Sequence, residues 1–171
     1  ARALATVKEA KFPYVSCNFY HEKNGVAGDS VLDSYKVFDM NGTKVAFIGI
    51  TTPESFTKST PAYFQDANGK YIYGIAAGKD GAALYAAVQK AIDAASKEAD
   101  YVIALGHLGD DPSSQPWTSE EVIAHTTGLD AFIDGHSHST VEGKQVKDKA
   151  GNTVVLTQTG TAFAAIGEMT I

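Results

Sequence analysis

Ala131-Phe132-Ile133-Asp134-Gly135-His136-Ser137-His138 is a short apolar run that breaks at a glycine and then presents two imidazoles one residue apart. A buried strand ending this way delivers neutral nitrogen donors to a sheet edge, where open α/β sheets place their chemistry. Tyr101-Val102-Ile103-Ala104-Leu105 runs into Gly106-His107-Leu108-Gly109 in the same manner. If the two strands are parallel neighbours, their ends lie about 4.8 Å apart. His107, His136 and His138 can then face one point, at the nitrogen-to-metal distance of about 2.0 to 2.1 Å that a zinc-like ion requires. A single histidine at a strand end is an ordinary local hydrogen-bonder. Three in two glycine-framed motifs are candidate metal ligands.

The other ionisable groups are read more plainly. His21 lies in a polar stretch and His125 on a helix without a ligand-like partner, so both are structural. Asp110 and Asp111 follow His107 in a Pro/Ser-rich loop and read as solvated or as outer supports of the site. Asp134 points away from the histidines, because residues alternate across a strand, and is expected to orient a loop. A second ion about 3.5 to 4 Å from the first needs a bridging carboxylate, and the sequence offers no convincing one.

Outward from these motifs, the helical spacing of Ala3, Leu4, Val7 and Ala10 predicts a helix that ends at Lys11-Phe12-Pro13. Tyr14 to Asn18 reads as a short strand entering a polar loop with Gly25, Gly28 and Asp29. Tyr35 to Asp39 and Lys44 to Ile50 flank Asn41-Gly42, the strongest short-range hairpin signal. The stretch Thr51 to Lys79 is aromatic and turn-rich. A helix over Asp80 to Glu98 carries Leu84, Val88, Ile92 and Ala95 on one face. Thr118 followed by Glu121 has the capping-box form and opens a helix through His125. Asn152 to Gln158 and Phe163 to Ile171 read as antiparallel strands around the turn Lys149-Ala150-Gly151. The alternation of strand and helix predicts an α/β fold with a parallel sheet flanked by hairpins.

The 171 residues, 44% of them hydrophobic, suffice for one core. A net charge of -6, with no basic run, argues against a nucleic-acid polymer as partner. Cys17 is the only cysteine, so neither an internal disulfide nor a thiolate cluster can form. The apolar runs are too short to cross a bilayer, and no signal peptide is evident. The chain opens without methionine in what reads as mid-helix, which predicts a piece of a longer protein.

Taken together, Gly49-Ile50-Thr51-Thr52-Pro53-Glu54, Gly106-His107-Leu108-Gly109 and Asp134-Gly135-His136-Ser137-His138 resemble the calcineurin-like metallophosphoesterases. Glu9-Ala10-Lys11-Phe12-Pro13-Tyr14-Val15-Ser16-Cys17-Asn18 and Gln158-Thr159-Gly160 are similar to the bacterial 5'-nucleotidase and 2',3'-cyclic-nucleotide phosphodiesterase branch. The resemblance implies a four-layer α/β/β/α sandwich with mixed sheets, of which residues 1–171 would be the C-terminal portion. It implies two divalent metals, zinc, manganese or similar, with His107 and His136 on one and His138 on the other. It further implies a nucleotide or other phosphate-ester substrate, in-line attack by a metal-bound hydroxide, and an extracytoplasmic location. The family's first three metal motifs have no match here and are expected upstream of Ala1; the nucleotide-binding domain is expected downstream. On this reading the chain alone holds metal weakly and is inactive, and no catalytic residue beyond the ligands is assigned. Two further readings remain open: a non-catalytic α/β metal-binding or interaction module, and a mononuclear zinc hydrolase using all three histidines.

Overall fold

The structure is a computed structural model that describes residues 2–170. An amphipathic helix α1 (Arg2–Glu9) leads the chain, ending just before Lys11-Phe12-Pro13 as the spacing predicts. Two hairpins follow. The first joins β1 (Phe19–Lys23) to β2 (Val26–Ser30), and the second joins β3 (Tyr35–Met40) to β4 (Thr43–Thr51). Both turn on an Asn-Gly pair with positive φ at both residues, 57° and 77° at Asn24-Gly25 and 57° and 92° at Asn41-Gly42. That is the backbone a two-residue type I′ turn requires.

Beyond β4 come a one-turn helix α2 (Ser55–Lys58), a 3₁₀ turn at Pro61–Phe64, and β5 (Tyr73–Ile75). The long helix α3 (Ala82–Ala95) is slightly shorter than the expected Asp80–Glu98. The strand β6 (Tyr101–His107), the helix α4 (Ser119–His125) and the strand β7 (Ala131–Ile133) fall where the sequence places them. Thr118 caps α4, its hydroxyl accepting from the Glu121 amide at 3.4 Å. The last hairpin pairs β8 (Thr140–Lys147) with β9 (Thr153–Thr159). No helix among the described residues is long and apolar enough to cross a membrane.

Two sheets result. Six strands in the order β3-β4-β6-β7-β9-β8 form the main one, and β2-β1-β5 the smaller. Within the main sheet β4, β6, β7 and β9 are parallel, while β3 and β8 close the edges antiparallel, the expected α/β arrangement with flanking hairpins. Alternate residues feed two apolar faces. Ala46, Ile48, Ile50, Val102, Ala104, Phe132 and Leu156 pack under Leu84, Val88 and Ile92 of α3 and Val122 and Ile123 of α4. On the opposite face Val45, Ile103 and Ala131 cluster with Phe47, Ile133 and Met169. That face is partly open, with Leu105 and Val155 exposed.

Three local expectations are corrected. Residues 14–18 form no strand: Val15 makes one isolated bridge to Asp33, and the segment is tied instead by the Cys17 amide donating to the Gly49 carbonyl at 2.8 Å. The stretch read as a polar loop holding His21 and Gly25 to Asp29 is the β1/β2 hairpin, in which β2 is a wholly exposed edge strand that needs no apolar alternation. The partner of β9 is β8, and residues 163–170 form no strand; Phe163 and Ile166 lie wholly exposed, while Ile171 falls outside the described residues.

Gly49 allows the 14–18 segment to lie on β4, because a Cβ there would stand 1.9 Å from the Val15 carbonyl oxygen. Backbone against backbone cannot yield as a flexible side chain would. Gly49→Ala is therefore expected to destabilise the chain by about 2 to 3 kcal/mol, the upper range for overpacking, measured as a lowered urea midpoint at unchanged m-value. A midpoint equal to that of the parent protein would show that residues 14–18 do not rest on β4.

Candidate metal centre

Parallel register brings the histidine motifs to one edge. Thr51 pairs with His107, and Ile133 of β7 lies level with Leu105 and Thr157. The C-terminal ends of β4, β6, β7 and β9 thus converge, and the segments just beyond them build the site. Asp134 is buried beneath it, and its carboxylate accepts the backbone N–H groups of Leu108 and Gly109, both at 2.9 Å. The expected loop-orienting role of Asp134 is what the structure contains.

Glycines set the approach distances. A Cβ on Gly106 would fall 2.3 Å from the Phe132 ring, and one on Gly135 would fall 3.2 Å from Nδ1 of His107. The rings of His107 and His136 consequently stand 5.0 Å apart, centre to centre, at 65°. Two imidazoles that share an ion through nitrogens about 2.0 to 2.1 Å from it stand roughly this far apart. His107 is pushed below the usual imidazole value by desolvation first, and then by the neighbouring His136 and His138, with Asp134 opposing. A neutral imidazole is the form that ligates.

His138 lies on the exposed rim of the same turn, close enough for its charge to act on His107. Among the described residues, however, no group of three His, Cys, Asp or Glu side chains gathers to enclose an ion. The His107–His136 pair suits two corners of a metal site; a complete ligand shell is not assembled by these residues.

Two carboxylates support the turn. Glu54, just past the end of β4, accepts from Nε2 of His136 at 2.7 Å and from the Ser114 hydroxyl at 2.8 Å, while Lys58 stands 3.2 Å from its other oxygen. Burial alone would raise its pKa, but the hydrogen bonds from Ser114, His136 and Lys58 outweigh that and hold it below the usual carboxylate value. Asp110 accepts from the hydroxyls of Ser137 at 2.5 Å and Ser139 at 2.7 Å, which keep its carboxyl low. Ser137 in turn accepts from buried Gln158 at 3.0 Å. Asp111 serves locally, accepting from the Ser113 amide at 2.8 Å. Behind β4, buried Asn18 bonds both the amide and the carbonyl of Thr51, at 2.9 and 2.7 Å.

His21 and His125 have the structural roles expected of them. His21 packs on Tyr73, and His125 stacks on Tyr85 with centres 4.3 Å apart. Cys17 is a packing residue whose thiol burial pushes up to about 12. The aromatic stretch after β4 forms a partly exposed ring cluster, in which Phe56 and Phe64 meet at 4.7 Å and Tyr71 packs on Phe56. Glu54, Ser114, Ser137, Ser139 and Gln158 were not singled out as site residues by their sequence. For Glu54 a signal existed: it stands three residues beyond Thr51, at the same sheet edge as His107.

This arrangement of strands is shared with solved phosphoesterases. The 5'-nucleotidase precursor from Thermus thermophilus superposes with a TM-score of 0.64 at 21% identity, over 91% of this chain and 29% of that one. The calcineurin-like phosphoesterase YfkN from Bacillus subtilis gives 0.62 at 23%, over 88% and 48%. By sequence, residues 25–155 match the family model described as bacterial capsule synthesis protein PGA_cap. The chain belongs to that family, and its fold is the one seen in the solved 5'-nucleotidase and calcineurin-like phosphoesterase. It is similar to the trifunctional nucleotide phosphoesterase YfkN of Bacillus subtilis, 27% identical over 77% of this chain and 8% of that protein. Protein UshA of Yersinia enterocolitica is 29% identical over 78% of this chain and 23% of its own length. The chain thus spans less than a quarter of these two relatives.

Asp134→Asn places an amide N–H against one of the backbone donors that the carboxylate now accepts. A loss of about 1 to 3 kcal/mol is expected, the cost of an unsatisfied buried donor, together with faster hydrogen exchange at Leu108 and Gly109. Equal exchange at both amides would contradict the bridge. For Asp110, whose folded-state pKa is depressed, the stabilisation is complete above the unfolded carboxyl value of about 3.9 and is lost as the pH falls through the lower folded value. Asp110→Asn should therefore flatten the acid limb of the stability profile; a variant with the parent's slope below about pH 4 would refute this.

Proposed function

We propose that this chain is part of a metal-dependent phosphoric ester hydrolase that removes phosphate from nucleotides, and that His107, His136 and His138 contribute to its metal centre. The observation that carries the proposal is the His107–His136 pair, 5.0 Å apart at the C-terminal edge of β6 and β7, in a chain that shares its fold with solved phosphoesterases. Divalent ions, zinc or manganese, would supply polarisation of a phosphoryl oxygen and acidification of a water. The chain's own part is to present His107 at the end of β6, to orient His136 through Glu54, and to hold the His136-Ser137-His138 turn on Asp110.

The rest of the site belongs, on this reading, to polypeptide beyond these residues. The open face of the main sheet, with exposed Leu105 and Val155 beside half-buried Phe47 and Ile133, would receive the N-terminal portion of the same domain. Recognition of the nucleoside would fall to a further domain, and the location would be extracytoplasmic, as inferred from the resemblance.

The test is hydrolysis of AMP and of bis-p-nitrophenyl phosphate by the full-length protein with Mn²⁺ or Zn²⁺. Activity is expected there, and none at an enzymatic rate from residues 1–171 alone. His136→Ala in the full-length protein should lower kcat/KM by more than the about 10- to 100-fold that loss of an outer partner costs. Tight metal binding by the full-length protein with no phosphoesterase activity would favour a non-catalytic metal-binding module instead.

A further inference from the structure

The contact between Glu54 and His136 fixes more than a position. Oε2 of Glu54 lies 2.7 Å from Nε2 of His136 and 2.8 Å from the hydroxyl oxygen of Ser114. A carboxylate only accepts, so both neighbours must donate. The single hydroxyl hydrogen of Ser114 is thereby used, and Nε2 of His136 must carry its own proton. The neutral ring then has one lone pair left, on Nδ1.

The geometry points to Glu54 as the positioning residue of His136, selecting the tautomer in which Nδ1 alone can accept a proton or bind a cation. The carboxylate is well placed for this. It sits on a segment whose Thr52 and Pro53 are buried, its own amide donates to the Thr52 hydroxyl at 3.2 Å, and Lys58 stands 3.2 Å from Oε1. The side chains of Glu54 and His136 are only 12% and 13% exposed, so water competes poorly for the bond. Ser114 is buried and shares the same oxygen. A carboxylate behind a histidine is the general device by which a protein orients an imidazole and raises its basicity toward a cation.

The assignment of the tautomer stands on these contacts, and only its consequence for cation binding rests on the proposed function. Full-length protein labelled with ¹⁵N-histidine separates the two by long-range ¹H–¹⁵N correlation spectra. His136 is expected as the Nε2–H tautomer, with an Nε2 proton in slow exchange that is lost in Glu54→Ala, while the spectrum of His125 stays unchanged. Ser114→Ala, which leaves the carboxylate in place, should retain the tautomer. Added Zn²⁺ should then move the Nδ1 resonance of His136 and leave Nε2 protonated. A parent protein with the proton on Nδ1, or a Glu54→Ala protein whose His136 proton exchanges as slowly as before, overturns the role of Glu54. An Nε2–H tautomer that ignores Zn²⁺ supports Glu54 as the positioning residue and removes the metal-centre reading instead.

Discussion

The buried carboxylate of Asp134 joins the end of β7 to the loop leaving β6 by accepting two backbone amides, from Leu108 and Gly109. Parallel strands are linked through their ladders only as far as the last paired residues, here Leu105 and Ile133. Beyond that point nothing in sheet geometry holds the two exit loops in register. The Asp134 bridge extends the coupling on the β6 side from Leu105 to Leu108 and Gly109, across the segment that carries His107. A charged acceptor makes each of these bonds worth more than a neutral one, about 1.5 to 3 kcal/mol, and its burial makes the pairing obligatory.

Once the loops are joined, the glycines decide how near the imidazoles can come. Gly106 leaves room for the Phe132 ring inside the core, and Gly135 leaves room for His107 at the rim. The two histidines then differ in what controls them. The pKa of His107 is lowered chiefly by desolvation, whereas His136 is held through a directed bond to Glu54. The strand exits of β4, β6, β7 and β9 supply Glu54, His107, His136 and, from the end of β9, Gln158, so the site is a property of the sheet edge and not of any one loop.

The main sheet was legible because its strands alternate over two apolar faces and its first hairpin carries Asn41-Gly42 between strongly β-prone runs. The smaller sheet was not, although Asn24-Gly25 carries the same turn signal, because His21-Glu22-Lys23 and Asp29-Ser30 are polar and form an exposed ribbon. Residues 14–18 looked like a strand by composition, but their backbone is tied by the Val15–Asp33 bridge and single hydrogen bonds from Ser16 and Cys17, against a position of β4 where Gly49 carries no Cβ. The histidines could be found locally, since each is framed by glycine at the end of an apolar run. Glu54 could not be paired with His136 in that way, because 82 residues separate them and only the parallel register brings them together.

His136 and His138 have φ of +89° and +60°, in the left-handed region where glycine would be free of strain. Each non-glycine residue held there costs about 1 to 3 kcal/mol. Glycine at either position would be free of that strain. The compensation lies between them: Ser137 donates to Asp110 and accepts from Gln158, and Ser139 donates to the same carboxylate oxygen. A turn pinned at its centre can keep both flanking residues in an unfavourable conformation, because relaxing either one would require breaking charge-assisted bonds of comparable energy. The polar network around Asp110 is thus the reason that two imidazoles can occupy glycine-like positions at the edge of the sheet.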